Sequence, residues 1–459
     1  MNNYKSFLET KQIVDQKSGF DVELSDLNKK LFDWQKVIVR WALARGRAAI
    51  FASCGMGKTP MQLSWANQIH KKEKRPVLIL APLAVSSQTY REGKKFDIEV
   101  NVCRSQSDVK NGINITNYEK SHKFIPDEFV GIVIDESGIL KSFSSATRNM
   151  IINSFGATKY RLACTATPSP NDFIELGNHS EFLGIMTRSE MLATFFINDT
   201  AHTGTWRLKG HVKDNMFWKW LSSWAVMITK PSDIGFDDNG FVLPEIKYHQ
   251  HIIETKTKPY FGFFPEIAQT LNDRRKVRKD TIEIRCNEAA KLINATNEQW
   301  IIWCGLNAES EMLTKIINDS GEVAGCHSDE IKTDRITKFA EGKLKRLVTK
   351  TKIAGFGLNL QICNKAVFVG LSDSFEAFYQ AVRRIWRFGQ NKEVDIHIFL
   401  EEREGAVLKN IQRKDKQFQQ MIKGMVAHMK DITKQELGCS ERDIVEYKPA
   451  IEMELPAWL

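Results

Sequence analysis

The sequence predicts an α/β protein with two lobes, each built on a parallel sheet, and a helical insertion between them. Three observations point there. An apolar run, Ala48 to Ala52, breaks into the glycine-punctuated turn Ser53-Cys54-Gly55-Met56-Gly57 and then into Lys58-Thr59 and a helix-like stretch from Pro60. A second apolar strand, Gly131 to Ile134, ends in the adjacent acids Asp135 and Glu136. Beyond residue 290 the alternation of strand and helix begins again. Such alternation builds parallel sheets, because each crossover needs a helix lying on the sheet face. At 459 residues the chain is too long for one core, so two large cores are expected.

Composition narrows the class. With 42% hydrophobic and 26% charged residues the chain reads as globular rather than disordered or membrane-embedded. No apolar run reaches the ~18 residues of a membrane span, and Met1 to Lys11 has no signal-peptide core, so no membrane partner and a cytoplasmic location are expected. The 8 cysteines never form a CxxC pair, which argues against a disulfide framework and structural zinc. A net charge of +9 suits a polyanion partner, although a solvated lysine surface gives the same value.

The turn at 52–59 has the chemistry of a phosphate cradle. Gly55 and Gly57 let backbone amides curl around an anion, Lys58 neutralises the β and γ oxygens, and Thr59 offers magnesium a hydroxyl at a helix start. Ala52 stands where the general consensus has glycine, and a glycine-rich surface turn is the alternative. The acids supply the rest of a nucleoside triphosphatase: Asp135 can orient the magnesium and Glu136 can activate the attacking water. In the second half, Trp300 to Cys304, Leu347 to Thr349 and Ala366 to Val369 read as strands and Ala308 to Ile317 as a helix, with no second phosphate loop. A helix from Phe375 carries Gln380, Arg384 and Arg387 at spacings of four and three, which predicts one shared face. Guanidinium forks suit a triphosphate there, and a solvated basic helix is the alternative.

The expected division is an N-terminal extension over 1–30, a first lobe over 31–235 with a helical insertion from about 178, an interlobe linker or helical segment over 236–290, a second lobe with a closing helix over 291–435, and a tail over 436–459. The segment Phe217 to Trp224, with Trp218, Trp220 and Trp224, is aromatic at helical spacing, which predicts a buried face, with a base-stacking wedge as the rival reading. Arg274, Arg275, Arg278 and Lys279 belong to the densest basic run, either a solvated helix or a contact to DNA phosphates. The acidic, apolar end, Ile451 to Leu459, is a candidate protein-binding tail or a disordered one.

In order along the chain, these blocks resemble the superfamily 2 helicases and, within them, the Swi/Snf-type ATPases. Leu31 to Gln35 is similar to the adenine-reading motif, and Ala52 to Thr59 to motif I, where that family routinely has this alanine. Ala81-Pro82-Leu83 resembles motif Ia, Ile115 to Glu119 motif Ib, and Asp135-Glu136-Ser137-Gly138 motif II, with glycine in place of the usual histidine or aspartate. Cys164 to Pro168, followed by Asn171 and Glu175-Leu176, resembles motif III with the Swi/Snf extension. Ala354 to Leu360 resembles motif V, and Gln380 to Gln390 motif VI, with Trp386 where histidine is common. The resemblance implies two RecA-like lobes that bind ATP and Mg2+ between them, with Gln35, Lys58, Thr59, Asp135, Glu136, Gln380, Arg384 and Arg387 around the nucleotide. It implies DNA across both lobes, duplex or branched, with Thr116, Asn117 and Thr349 as candidate backbone contacts. Stand-alone chains of this size resemble phage or bacterial members. Three activities compete: a duplex DNA translocase or branch remodeller, a strand-separating helicase using the tryptophan segment as a pin, and an ATP-gated clamp that holds DNA without moving.

Overall fold

Strands with helices on both faces must be apolar along their whole length, and the runs picked out above are buried end to end. A computed structural model describes residues 17–82, 85–199, 205–210, 216–254, 277–351, 353 and 360–436. The first lobe contains β1 (Arg47–Ala52), β2 (Val77–Ala81), β3 (Val100–Val102), β4 (Ile113–Asn117), β5 (Gly131–Asp135) and β6 (Tyr160–Thr165), then an antiparallel hairpin of β7 (Phe196–Asp199) and β8 (Thr205–Leu208), then β9 (Ala225–Ile228). Apart from the hairpin they form a 7-stranded parallel sheet in the order β3-β4-β2-β5-β6-β1-β9. Its helices are α1 (Asp33–Arg45), α2 (Lys58–Glu73), α3 (Ser86–Lys95) and α4 (Ala146–Phe155), with α5 (Leu176–Leu183), α6 (Arg188–Phe195) and α7 (Met216–Trp224) before the return at β9.

The second lobe runs β10 (Ile246–Ile253), α8 (Ile282–Asn294), β11 (Trp300–Cys304), α9 (Asn307–Ile316), β12 (Ser320–Val323), α10 (Asp329–Ala340), β13 (Arg346–Lys350), β14 (Lys365–Val369), α11 (Phe375–Val382), β15 (Val394–Glu401) and α12 (Gly405–Glu436). Its 6-stranded sheet has the order β10-β15-β14-β11-β13-β12, with every pair parallel.

Two expectations change, and a third, the buried face of the tryptophan segment, holds against its rival. Within the segment 236–290, expected as linker or helix, a strand appears: β10 pairs with β15 from Ile246↔Val394 to Ile253↔Glu401 and forms an edge of the second sheet. An edge strand tolerates polar residues on its half-exposed face, so Lys247, His249 and His251 hid it. Residues 18–20 are continuous with the first lobe, since Ser18, Gly19 and Phe20 donate backbone bonds to Arg45, Ala44 and Leu43. The tryptophan segment is no wedge. Phe217, Trp218, Trp220 and Trp224 are all buried, and α12 lies so close that a Cβ added at Gly424 would stand 2.6 Å from the Trp218 ring. Although α12 follows the second lobe, it therefore packs on the first. There Met429 Sδ accepts from Met227 N at 3.1 Å, while Phe418 packs edge-on against Tyr379 of α11. Among the described residues no helix is long and apolar enough to cross a membrane.

Candidate active site

Parallel strands bring their carboxyl ends to one edge, and β1 and β5 end on the same side of the first sheet. Ala52 is the last residue of β1 and pairs with Ile228. The turn proper begins after it, so a methyl is accommodated where a glycine is not needed. Gly55 and Gly57 have φ of +92° and +72°, the left-handed region that favours glycine. Space also excludes side chains here. A Cβ at Gly57 would stand 2.3 Å from Gln35 Nε2, and one at Gly55 would stand 3.0 Å from the backbone nitrogen of Phe388 in the second lobe. Gln35 is docked on the loop, donating to Met56 O at 3.2 Å while its Oε1 accepts from Phe32 N at 3.1 Å.

Lys58 opens α2 and donates from Nζ to Ala52 O at 3.1 Å. Burial works to lower the pKa of its ammonium, but Glu136, aided by Cys54, Asp135 and Tyr379, outweighs burial and the net direction is upward. Asp135 is 4% exposed and its Oδ1 accepts from Gln62 Nε2 at 2.7 Å. Burial and then repulsion from Glu136 push its carboxyl up to about 6, against the Gln62 hydrogen bond and the Lys58 charge. Glu136 sits at φ +54°, and its Oε2 accepts from Thr165 Oγ1 at 3.4 Å. Ser137 is held at 3.0 Å by His179, whose imidazole burial lowers to about 4 and so keeps neutral.

The second lobe closes the site. Gln380, Arg384 and Arg387 line the same cleft as Gln35, Gly55, Gly57, Lys58, Thr59, Asp135 and Glu136, a cavity of about 770 Å³. They do not share one helical face, because α11 ends at Val382 and both arginines lie on the turn after it. That turn, rather than helical periodicity, aims them inward. The Nε atoms of Arg384 and Arg387 are buried with no hydrogen-bond partner among the described residues, as expected of forks awaiting an anion. Arg383, whose Nε is likewise without a hydrogen-bond partner among the described residues, lies over the Tyr379 and Trp386 rings. Trp386 is structural here, donating from Nε1 to Pro244 O at 2.8 Å.

Around Phe32, which belongs to the 31–35 block singled out above, stand groups that sequence reasoning did not assign to the cleft. Phe32, 51% exposed, meets Phe241 edge-on at 5.2 Å, and Phe241 stacks at 4.7 Å on Phe388 of the other lobe. Together they form an aromatic wall beside Gln35. Lys141 and Glu376 also line the cleft. Nothing local in the sequence marks Phe241 or Glu376, which reach the site only when the lobes meet, while Phe388 lies within the 380–390 block without a role the sequence would assign it.

The candidate nucleic-acid contacts fare differently. Thr116, Asn117 and Thr349 are buried. Thr349 Oγ1 is used on Val323 O at 2.9 Å, and the Asn117 side chain caps the following turn by accepting from Lys120 N. Thr116 Oγ1 is buried with no hydrogen-bond partner among the described residues, so in this conformation all three side chains face inward. Arg278 is likewise engaged internally, donating to Glu404 at 3.2 Å beside the buried Arg285–Glu309 pair. Lys279 is exposed. Arg274 and Arg275, residues 354–359 of the motif V block and the tail all lie outside the described residues.

The first lobe matches the family model described as type III restriction enzyme, res subunit, over residues 28–170, and the second matches the helicase conserved C-terminal domain over residues 285–389. No curated protein matches the chain. Among solved structures it is similar to the Sulfolobus solfataricus SWI2/SNF2 ATPase core in complex with dsDNA, at 18% identity and a TM-score of 0.43, with 91% of this chain and 98% of that one covered. With one of these two models on each side of the cleft, in order, the chain belongs to the superfamily 2 helicases and is an ATP hydrolase.

Proposed function

We propose that this ATPase is a DNA translocase of the Swi/Snf type, which moves on duplex or branched DNA without needing to separate its strands. The observation that carries the motor reading is the meeting of Lys58, Thr59, Asp135 and Glu136 from one lobe with Gln380, Arg384 and Arg387 from the other in a single cleft. ATP bound there takes its phosphates on the 52–59 turn, with Lys58 leaving the Ala52 carbonyl for the β and γ oxygens. Glu136 accepts the proton of the water that attacks the γ-phosphorus as the bond to the β-phosphate oxygen breaks. Arg384 and Arg387 stabilise the charge that develops on the transferring group. Hydrolysis removes their anchor, the lobes relax, and each cycle shifts one lobe along the DNA relative to the other.

Thr59 and Asp135 fit magnesium, since hydroxyl and carboxylate oxygens are its preferred donors and the buried Asp135 carboxylate, with the half-buried Glu136 beside it, gains from a cation. When bound it would neutralise phosphate charge. The resemblance of Cys164 to Leu176 to the Swi/Snf form of motif III supports tracking of a duplex. The burial of Trp218, Trp220 and Trp224 removes the segment singled out as a strand-splitting pin. A triplex-displacement assay on blunt duplex, run beside unwinding of a forked duplex, tests the proposal. Displacement without unwinding is the expected outcome. Unwinding of tailed duplexes with ATPase driven only by single strands would replace it with the helicase reading, and DNA binding without sustained turnover with the clamp.

A further inference from the structure

We infer that Glu376, paired across the cleft with Lys141, is a positioning residue that sets the register of the two lobes and so delivers Arg384 and Arg387 to the nucleotide. The inference rests on the ATP-site reading above and deepens it. Lys141 lies just after the acidic pair in the first lobe and Glu376 in the first turn of α11 in the second, and their side chains form an ion pair. Gly138, the place where a histidine or aspartate is usual, is where that pair sits: a Cβ added there would stand 2.6 Å from Glu376 Oε1. The second lobe thus fills with a carboxylate the space that a side chain on the first lobe would need.

A second tether holds the same end of α11. Lys414 of α12 donates at 2.8 Å both to Asp373 O, just before α11, and to Asn171 Oδ1 of the first lobe. Asn171 in turn donates from Nδ2 to Glu175 at 2.7 Å. Between these tethers and the arginines, Tyr379 meets Ser53 of the phosphate turn at 3.4 Å. The helix is therefore pinned to the first lobe at its start, and its last residues run directly into the turn that carries Arg384 and Arg387. As a stability contribution a part-exposed ion pair is minor. Its place at the joint is what matters, because a small rotation of α11 moves both guanidinium groups away from the phosphates.

The test is charge exchange in the full chain, with ATP turnover measured in the presence of duplex and single-stranded DNA and binding followed with a fluorescent ATP analogue. Lys141→Glu and Glu376→Lys should each lower kcat at least about tenfold, with analogue affinity held within about threefold, and the double exchange should recover most of the loss. Gly138→Ala should lower kcat by displacing the carboxylate, yet cost nothing further in a Glu376→Ala background. Single exchanges that leave kcat unchanged, or a double exchange that binds the analogue but is no better than either single, would overturn the inference. If the double exchange does not bind the analogue, the isosteric Glu376→Gln decides: a tenfold loss supports the pair and unchanged turnover defeats it. A Lys58→Ala control separates the two levels of the argument, because full turnover there would sink the ATP site itself whatever the exchanges show.

Discussion

At Gly57 an added Cβ would meet the end of the Gln35 side chain, and Gly57 and Glu136 both hold the left-handed region, so local backbone geometry fixes where the functional side chains stand. Substitutions in the site should therefore separate by role rather than by size. Lys58→Ala removes the charge meant for the β and γ oxygens and should reduce ATP hydrolysis to background while both cores melt as before. Glu136→Gln keeps the binding groups and should instead retain bound ATP that turns over at least 10²-fold more slowly, read by filter binding and single-turnover kinetics. Outside the chemistry, Glu175 offers a pH test. Burial pushes its carboxyl up to about 7, against hydrogen bonds from Asn171. A raised carboxyl favours folding while it is protonated, so its contribution is complete below the unfolded value near 4.5 and is lost as pH rises through about 7. Wild-type Tm should accordingly fall more between pH 5 and pH 8 than the Tm of Glu175→Gln, by the equivalent of at most about 3 kcal/mol at roughly 1.4 kcal/mol per pKa unit. Parallel Tm curves would show that Glu175 does not titrate in this window.

At the scale of elements, the joint between α7 and α12 carries much of the architecture. Trp224 is completely buried and meets Trp220 edge-on at 5.3 Å and Phe51 at 6.3 Å. Trp224→Ala should destabilise the first lobe by about 3–5 kcal/mol, the range for a large side chain lost from a core. Gly424→Val acts differently, because it drives a branched side chain into the Trp218 ring that already lies against that position. It should loosen α12 from the first lobe and raise protease cleavage within residues 405–436, with the core of each sheet protected as in wild type. Unchanged cleavage would mean that the helix accommodates the branch by sliding. The same joint explains why periodicity alone identified a packing face on α7 and could not say against what: the partner is a glycine some two hundred positions later.

At the scale of the whole molecule, the proposed mechanism depends on closure. Arg387→Ala should bind nucleotide within about threefold of wild type but lose DNA-stimulated hydrolysis by about 10³-fold, since the guanidinium comes from the opposite lobe and acts when the cleft is shut. Stimulation equal to wild type would show that Arg387 does not reach the reacting phosphate. The aromatic wall of Phe32, Phe241 and Phe388 spans the same division, so both lobes line this part of the cleft as they line the part that holds Lys58 and Arg387.

The chain's own order of residues determined the strands Arg47–Ala52, Gly131–Asp135 and Trp300–Cys304, the phosphate turn with its lysine, and the acidic pair. These are local: a glycine, a lysine or an apolar run carries its physical reason within a few neighbours. It also carried Gln380, Arg384 and Arg387, although for the wrong geometry, since helical spacing was read where the helix had already ended. Only the tertiary structure decided that Ile246–Ile253 is an edge strand, that Thr116, Asn117 and Thr349 face inward, and that Arg278 is engaged by Glu404. It alone set Glu376 against Lys141 and Gly138, and Phe388 against Phe241. In each case the deciding partner lies far along the chain, and distance in sequence is what local propensity and periodicity do not see.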